Sequence, residues 1–295
     1  MINYLNSIYK ILNHPLNKDN RFKAFSRIVW WKTNQLFFHY PSFVQLTPET
    51  KCICYPDSSF GGLVVYTKYP EYDEMSFVYS FLQADDTFCD VGANIGAFSL
   101  IASSKIKSGK IFAFEPSAKA LEYLEENIRL NGLDNKIKVV TKVVSDKAGY
   151  EYFSVGKFSE VDHITTNDNS EGKNIRIASI TLDGFLTDLK VYNIDLVKID
   201  VEGAELKVLK GLKQYLSKGR VGVVIFELNS RSLKFGNTHL ATAQFLENYG
   251  YKLYKFCGQN KVTKLSNEDL KNKETSNVLA VHNSHKLRVK RLLSI

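Results

Sequence analysis

The chain has 295 residues, of which 44% are hydrophobic, enough for one large folded domain with additions. Its formal net charge is +8, so the protein is moderately basic. No apolar run approaches the ~18 residues of a membrane-spanning helix, and the polar N-terminus lacks the pattern of a signal peptide. These features exclude a membrane span and lead us to expect a cytoplasmic protein.

The cysteines and the basic residues suggest no special chemistry. Cys52-x-Cys54 lacks the second pair of ligands that a zinc site needs, so burial in a reducing compartment is the simpler interpretation. Basic residues concentrate near both ends of the chain. Solvated helix faces explain them most simply, and contact with an anionic surface, a glycan or a nucleic acid is the alternative.

The sequence of residues 1–82 predicts an N-terminal extension, made of helices and short strands, that packs on the rest of the chain. Apolar residues at helical spacing predict one or two helices from Asn3 to about Phe38, broken at His14-Pro15. Trp30-Trp31 is interpreted as a packing anchor against the main domain. Short strands at Val44–Leu46, Ile53–Tyr55 and Leu63–Tyr66 and a helix at Glu71–Leu82 are predicted to follow.

From Thr87 onward, apolar strands alternate with helices, which is typical of a parallel sheet covered on both faces. The predicted strands are Thr87–Val91, Ile111–Glu115, Ile137–Val144, Ile194–Val201 and Val221–Leu228, and the helices are Ala97–Lys105, Lys119–Asn131 and Ala204–Leu216. The alternation breaks between Gly149 and Ile180. There we expect strands at Tyr150–Val155 and Ile175–Ile180, joined by a polar loop, Lys157 to Lys173, that could cover a site. A helix at Ala241–Tyr249, a final pair of strands (Tyr251–Phe256 and Val278–Val281) and a basic helix or tail, His282 to Ile295, complete the prediction.

The segment Asp90-Val-Gly-Ala-Asn-Ile-Gly96 joins the first core strand to its helix. Gly92 and Gly96 allow a sharp turn and close approach of a ligand, and free N–H groups at a helix start favour an anionic group. The spacing D-x-G-x-x-x-G differs from the G-x-G-x-x-G of nicotinamide-binding folds. An acid at Asp90 suits an ammonium group, so the pattern favours S-adenosylmethionine over NAD.

Acidic residues follow several of the predicted strands. Glu115 ends the second strand, where doubly wound folds place the acid that binds ribose hydroxyls, although an acid before Pro116 could also cap the next helix. Because the carboxyl ends of parallel strands share one edge, Asp90, Glu115, Ser145-Asp146, Asp200 and Glu227 should meet there.

Seven motifs, taken in order, resemble the FkbM family of S-adenosylmethionine-dependent methyltransferases. They are Asp90–Gly96, Phe114–Pro116, Asn127 with Asn131-Gly132, Val143–Asp146 with Gly149, Thr181–Asp183, Lys198–Glu205 and Ile225–Glu227. The resemblance implies an α/β fold with a Rossmann-like, mostly parallel sheet and a reversed last strand. It also implies methyl transfer, usually to oxygen, on sugars or secondary metabolites. Asp90, Gly92, Asn94 and Gly96 would contact the cofactor, Glu115 would hold the ribose, and Ser145 and Asp146 would lie by the adenine.

An alcohol acceptor must lose a proton as it is methylated, and we expect Asp200, Glu227 or His163 to take it. Asp200 and Glu227 end adjacent strands and could share a proton, or they could hold a divalent cation, which is possible but not predicted. His163 lies in the polar segment beside Asp162, whereas Glu205 is interpreted as a helix cap. No metal site is predicted.

The sequence thus predicts an extension (1–82), a methyltransferase domain (83–285) and a basic tail (286–295). The expected acceptor is a small molecule or glycan. A nucleic-acid-binding or nucleic-acid-modifying methyltransferase is the alternative, although no recognisable nucleic-acid motif accompanies the basic charge. Nothing in the sequence indicates an oligomeric state.

Overall fold

The computed structural model describes residues 2–155, 163–165, 173–258, 261–271 and 276–292. These residues form an α/β fold with an eight-stranded sheet, a four-stranded sheet and a two-stranded hairpin. The strands are β1 (Ser42–Gln45), β2 (Lys51–Cys54), β3 (Thr87–Val91), β4 (Lys110–Phe114), β5 (Ile137–Val140), β6 (Val143–Val144), β7 (Gly149–Val155), β8 (His163–Thr165), β9 (Lys173–Ile180), β10 (Ile194–Ile199), β11 (Val221–Leu228), β12 (Tyr251–Phe256), β13 (Val262–Lys264) and β14 (Ser276–His282).

Helices cover both faces of the large sheet. The elements that precede β3 in the chain, within residues 2–82, are called the N-terminal layer here. The α-helices are α1 (Ile2–Leu12), α2 (Arg21–Thr33), α3 (Ser59–Thr67), α4 (Tyr72–Phe81), α5 (Ala97–Lys105), α6 (Ala118–Leu130), α7 (Leu182–Asp188), α8 (Glu205–Lys210), α9 (Lys213–Ser217), α10 (His239–Glu247), α11 (Asn267–Lys271) and α12 (Lys286–Lys290). A π-helical turn, Asn34–Phe38, continues α2. Within the described part of the chain, no helix has the length and apolar character needed to cross a bilayer.

The large sheet has the strand order β13-β12-β14-β11-β10-β3-β4-β5. Strands β5, β4, β3, β10 and β11 are parallel, and β14 lies antiparallel between β11 and β12. This arrangement confirms the predicted Rossmann-like sheet, which is mostly parallel with its last strand reversed. It also brings the carboxyl ends of β3, β4, β10 and β11 to one edge.

Alternate residues of each strand face opposite sides of the sheet. In β3, Phe88 packs into the core beneath α4, α5 and α6, whereas Cys89 and Val91 pack into the core beneath α7 to α10. Because both faces are covered, the central strands are mostly apolar, as the sequence indicated, with Asp90 in β3 and Lys198 in β10 as buried exceptions.

The N-terminal layer packs on this sheet through α3, and here one prediction is wrong. Leu63–Tyr66 was expected to be a strand but lies inside α3. Ser58 caps that helix by accepting a hydrogen bond from the N–H of Gly61 (2.9 Å). A Cβ at Gly62 would lie 2.8 Å from the indole nitrogen of buried Trp31, so close packing against α2 outweighs the strand preference of the Val64-Val65 pair.

Two other predicted elements are divided. The strand expected at Ile137–Val144 is β5 in the large sheet and β6, which pairs with β9 in the small sheet. The helix expected at Ala204–Leu216 is interrupted at Gly211, where a Cβ would lie 2.1 Å from the backbone oxygen of Ser145. Of the loop predicted from Lys157 to Lys173, only β8 and the start of β9 are described, and its expected role as a cover lies outside the described residues.

The β1–β2 hairpin is held to α6 by two asparagine side chains. Asn127 accepts from the N–H of Ile53 (2.7 Å) and donates to its carbonyl (3.2 Å). Asn131 does the same with Lys51, at 2.8 Å and 2.7 Å. Asn127 also donates to the carbonyl of Ile95 (2.9 Å), so the hairpin, α6 and the loop before α5 are fixed together.

Candidate cofactor and acceptor site

A cavity of about 320 Å³ lies where β3, β4, β10 and β11 end. Its volume is within the ordinary range of small-molecule sites, and its position is where parallel α/β sheets bind ligands. Side chains from the N-terminal layer, including Phe60, Leu63 and Glu71, form part of its wall. The cavity therefore combines the strand ends that the sequence predicted to form a site with a segment that precedes them in the chain.

The loop between β3 and α5 forms one end of the cavity. Gly92, Asn94 and Gly96 have φ angles of 78°, 51° and 87°, in the left-handed region that favours glycine. A Cβ on Gly92 would lie 1.9 Å from the backbone oxygen of Asp200. Gly92 and Asn94 line the cavity as expected, whereas Gly96 lies below them at the helix start, where its missing side chain makes room for Leu124.

The start of α5 faces the same end. Gly96 occupies the N-cap position and has no side chain to accept the first N–H groups of the helix. Ala97 and Phe98, in the first turn, line the cavity. This arrangement fits a ligand that carries an anionic group, such as the carboxylate of S-adenosylmethionine.

Glu115 lines the cavity beside the glycine loop and has a fixed orientation. One carboxylate oxygen accepts from the N–H of Asn94 (2.8 Å) and the other from the N–H of Ser117 (2.9 Å). Ser117 is the N-cap residue of α6, so Glu115 does stabilise the start of that helix, as the sequence left open. A carboxylate has further lone pairs, so Glu115 can also accept ribose hydroxyl groups.

Neither Ser145 nor Asp146 lines the cavity, contrary to the expectation that they lie by the adenine. Ser145 is fully buried and donates to Glu151 (2.7 Å), while Asp146 is exposed. Lys142, Val143 and Val144 line the cavity instead. The reason is that β6 leaves the large sheet to pair with β9, which turns the residues just before Ser145 toward the site.

Asp90 is predicted to contact the cofactor, but in the structure its side chain is fully buried and does not line the cavity. It accepts from the hydroxyl of Ser99 (2.7 Å), and its second oxygen lies 3.9 Å from the amine of Lys198. Burial raises the pKa of Asp90 above its usual range, an effect that the charge of Lys198 opposes. Asp90 thus supports the glycine loop from within rather than reaching the cavity.

Lys198 is a site residue to which the sequence analysis gave no role. Its amine donates to the carbonyl of Gly92 (3.1 Å) and to Asp200 (3.3 Å). Burial alone would lower the pKa of Lys198, but the carboxylates of Asp200 and Asp90 raise it above its ordinary value, so the amine stays charged. A lysine inside an apolar central strand was the available signal, because an unpaired charge is rarely buried.

Three acids, Glu71, Asp200 and Glu227, line the part of the cavity that we call the acceptor end, and the charge of Asp200 acts on the other two. Burial, and then the charge of Asp200, raise the pKa of Glu227 to about 7. The same two causes raise the pKa of Glu71 to about 8. The sequence predicted Asp200 and Glu227, but it missed Glu71, which precedes α4 and shows no local sign of a site.

The turn after Asp200 adds two more acids with different partners. Glu202 lines the cavity, has a left-handed φ of 56° and forms an ion pair with Arg231. Glu205 is buried and accepts from the N–H groups of Val201 (3.3 Å) and Gly203 (3.0 Å). Glu205 therefore stabilises the turn before α8, whereas the N-cap position of that helix is Ala204, so the predicted helix cap is not what Glu205 forms.

The histidines do not join this cluster in the part of the chain described. The backbone of His163 pairs with Ser154 in the small sheet, but its side chain is outside the described residues, so its role as base stays a prediction. His239 is buried and lies 3.0 Å from the carbonyl of Asn229. Among the described side chains, no group of three or more histidines, cysteines and acids could hold a metal ion.

A mostly parallel sheet with a reversed last strand, and a glycine-loop cavity at its carboxyl edge, define a Rossmann-like methyltransferase. The sequence model of the methyltransferase FkbM domain matches residues 90–253, more than half of the chain, and the chain belongs to the FkbM methyltransferase family.

Two curated methyltransferases are similar to this chain. The hexuronic acid methyltransferase AglP of Haloferax volcanii is 30% identical over 161 residues, 54% of this chain and 63% of that protein. The methyltransferase sdnD of Sordaria araneosa is 32% identical over 162 residues, 45% of this chain and 62% of that protein. The match thus spans less than two thirds of either relative.

Among solved structures, the methyltransferase FkbM from Methylobacillus flagellatus aligns with a TM-score of 0.44 and 14% identity. The alignment covers 76% of this chain and 55% of that chain.

Proposed function

We propose that this methyltransferase transfers the methyl group of S-adenosylmethionine to a hydroxyl oxygen of a sugar or other small molecule. The supporting observation is that one cavity joins a cofactor end, built from the glycine loop and Glu115, to an acceptor end with the carboxyl groups of Asp200 and Glu227. Bound S-adenosylmethionine supplies an electrophilic methyl group on a positively charged sulfur.

The residues of the cofactor end have separate roles in this proposal. Glu115 accepts hydrogen bonds from the ribose, the start of α5 binds the carboxylate, and Val143 and Val144 contact the adenine. Gly92 and Asn94 let the loop backbone approach the ligand. Because Glu115 is fixed by two backbone N–H groups, it needs no reorganisation when the cofactor binds.

Glu227 is the proposed base. With a pKa of about 7 it is substantially ionised at neutral pH, whereas Glu71, with a pKa of about 8, is mostly protonated. Two acids with separated pKa values suit two tasks. The carboxylate of Glu227 accepts the hydroxyl proton, which is worth about 10²–10⁴-fold in rate. The protonated carboxyl of Glu71 donates a hydrogen bond that orients the acceptor.

The charge of the acceptor end favours an uncharged acceptor. With Glu71 protonated, the ionisable acids that line this end are Asp200, Glu202 and Glu227, and their cationic partners among the described residues are Lys198 and Arg231. A phosphate or carboxylate on the acceptor would be repelled by this surplus of acids. We therefore favour a neutral, hydroxyl-bearing sugar or metabolite over a nucleic acid, which was the alternative from the sequence.

The N-terminal extension takes part in acceptor selection in this proposal. Phe60, Leu63 and Glu71, all within residues 1–82, line the cavity, yet they lie outside the matched family segment. The division into an extension (1–82), a methyltransferase domain (83–285) and a basic tail (286–295) remains our proposal. The C-terminal segment also contacts the core, since Arg288 pairs with Asp86 and Val289 is buried.

The test is methyl transfer from S-adenosylmethionine with a labelled methyl group to three acceptor pools: neutral glycans, uronic-acid glycans and RNA. We expect label on the neutral glycans in an alkali-stable form, because ethers resist alkaline hydrolysis and methyl esters do not. Label found only in RNA, or only in alkali-labile esters, would contradict O-methylation of a neutral hydroxyl. No saturable binding of the cofactor to folded protein would contradict the whole proposal.

A further inference from the structure

Helix α2 is apolar on two opposite faces. Ala24, Ile28 and Trp31 are buried on the inner face, against the rest of the fold. Phe22, Phe25 and Val29 have the same helical spacing on the outer face, and they are 85%, 47% and 49% exposed. A surface helix ordinarily has one apolar face turned to the core and polar residues on the opposite face, so a second apolar face is unusual. Nothing in the described part of the chain covers the outer face.

The exposed surface continues beyond α2. Trp30 stacks on Phe38 with ring centres 6.1 Å apart, and Phe38 stacks on Tyr40 at 6.4 Å. We call the whole surface the aromatic face; its members are Phe22, Phe25, Val29, Trp30, Leu36, Phe37, Phe38 and Tyr40. Isolated exposed apolar residues need no explanation, but a set this large on adjoining elements marks an interaction site.

The charged residues of the segment that carries the aromatic face are mostly basic, whereas acids line a second cavity at its far edge, beside His39. Six of the first 40 residues are basic (Lys10, Lys18, Arg21, Lys23, Arg27 and Lys32), and Asp19 is the single acid in that stretch. At about 100° per residue, Arg21 and Lys32 lie along one margin of the outer face of α2 and Lys23 along the other. Aromatic side chains bordered by cations match the interfacial region of a bilayer with anionic headgroups.

We propose that the aromatic face docks this protein on an anionic lipid bilayer. The rings of Phe22, Phe25 and Trp30 enter the interfacial region, while Arg21, Lys23 and Lys32 contact the headgroups. Helix α2 packs on α3, which carries Phe60 and Leu63 on the cavity wall. In the docked protein, α2 lies against the membrane, and α3 lies between α2 and the cavity.

A second copy of the chain fits this surface less well. A two-fold dimer brings the same patch of both subunits together, so the cations of one margin would face the cations of the other. The stretch has only Asp19 to pair with them. A bilayer with anionic lipids supplies the missing negative charge.

The test is binding to vesicles of phosphatidylglycerol and phosphatidylcholine in equal parts, with pure phosphatidylcholine for comparison. The two tryptophans of the chain are adjacent; Trp31 is buried and Trp30 is half-exposed, so a blue shift on binding reports Trp30. The test variant combines Phe22→Ser, Phe25→Ser and Trp30→Ser, and is followed by sedimentation. The control variant combines Tyr192→Ser and Leu287→Ser, two large exposed side chains (73% and 74%) that lie outside the aromatic face.

We expect the wild type and the control variant to sediment with the anionic vesicles, and the test variant to bind roughly tenfold more weakly or worse. Binding should fall with added salt and with Lys23→Glu and Lys32→Glu together. Equal binding of the test variant, or equal binding to the neutral vesicles, would overturn the proposal. A wild-type dimer that the test variant makes monomeric, without vesicle binding, would overturn it in favour of a second copy. None of these measurements needs catalytic activity.

Discussion

The two ends of the cavity are built in different ways. At the cofactor end, a single carboxylate, that of Glu115, is held by two backbone N–H groups, and the neighbouring loop is fixed by left-handed glycines. At the acceptor end, Glu71, Asp200 and Glu227 come from distant parts of the chain, and burial together with the charge of Asp200 raises the pKa values of Glu71 and Glu227. Backbone hydrogen bonds thus fix the side chain that would bind the cofactor, whereas raised pKa values suit the acids of the acceptor end to proton transfer.

This contrast predicts that a substitution at the acceptor end affects the rate without affecting cofactor binding. We expect Glu227→Gln to lower turnover by about 10²–10⁴-fold, because the amide cannot accept the hydroxyl proton. Calorimetric titration with S-adenosylhomocysteine should give the wild-type affinity. Glu247→Gln, an exposed acid on α10, is the matched control. Wild-type turnover in Glu227→Gln would move the role of base to Asp200 or His163.

A substitution at the cofactor end should have the opposite signature. We expect Glu115→Ala to weaken S-adenosylmethionine binding by roughly 10- to 100-fold, since each charge-assisted hydrogen bond is worth about 1.5–3 kcal/mol. Its backbone partners Asn94 and Ser117 would also lose an acceptor, so Tm should fall modestly. Glu115→Gln keeps a neutral acceptor and should fall between the two. Unchanged affinity in folded Glu115→Ala would remove the ribose assignment.

The pH dependence of turnover sharpens the same contrast. Because Glu227 must be ionised to accept a proton, kcat/KM should rise with pH through about 7. After burial, the charge of Asp200 is the next cause of that raised pKa, so Asp200→Asn should move the midpoint of the residual activity toward acid. A midpoint that stays in place would show that burial alone sets the pKa of Glu227.

The smallest expected effect concerns the free energy of unfolding. Burial raises the pKa of Glu205 to about 8, so the folded protein keeps a proton that the unfolded chain releases above its ordinary pKa. Its contribution to stability is therefore present at low pH and is lost as pH rises toward about 8. In urea unfolding, the stability of the wild type should fall across this range by about 1 kcal/mol per pH unit more than that of Glu205→Gln. Parallel slopes would contradict the assignment.

The difference between the two ends also explains what the sequence could predict. The cofactor end depends on residues close together in the chain, so Gly92, Asn94 and Glu115 were predicted and line the cavity. Strand ends meet at one edge of a parallel sheet, which is why Asp200 and Glu227 were predicted as well. Glu71 reaches the cavity only because α3 and α4 pack on the sheet, and no local pattern encodes that packing.

The failures within the fold have the same origin. Asp90 and Ser145 were placed by their positions at strand ends, but the direction of each side chain depends on its partners, Ser99 and Glu151. The strand expected at Leu63–Tyr66 is a helix because Trp31, from a different helix, packs against Gly62. In each case a contact between distant segments outweighed a local preference.

The attachment of the β1–β2 hairpin has a further consequence. Asn127 and Asn131 hold it through the peptide groups of Ile53 and Lys51, and every amino acid other than proline offers those groups. These four hydrogen bonds therefore do not depend on the side chains of Ile53 and Lys51. An engineer could therefore vary the exposed positions of the hairpin, such as Phe43 and Lys51, and keep its attachment to α6, provided that Cys52 and Cys54, which are buried in the core, are retained.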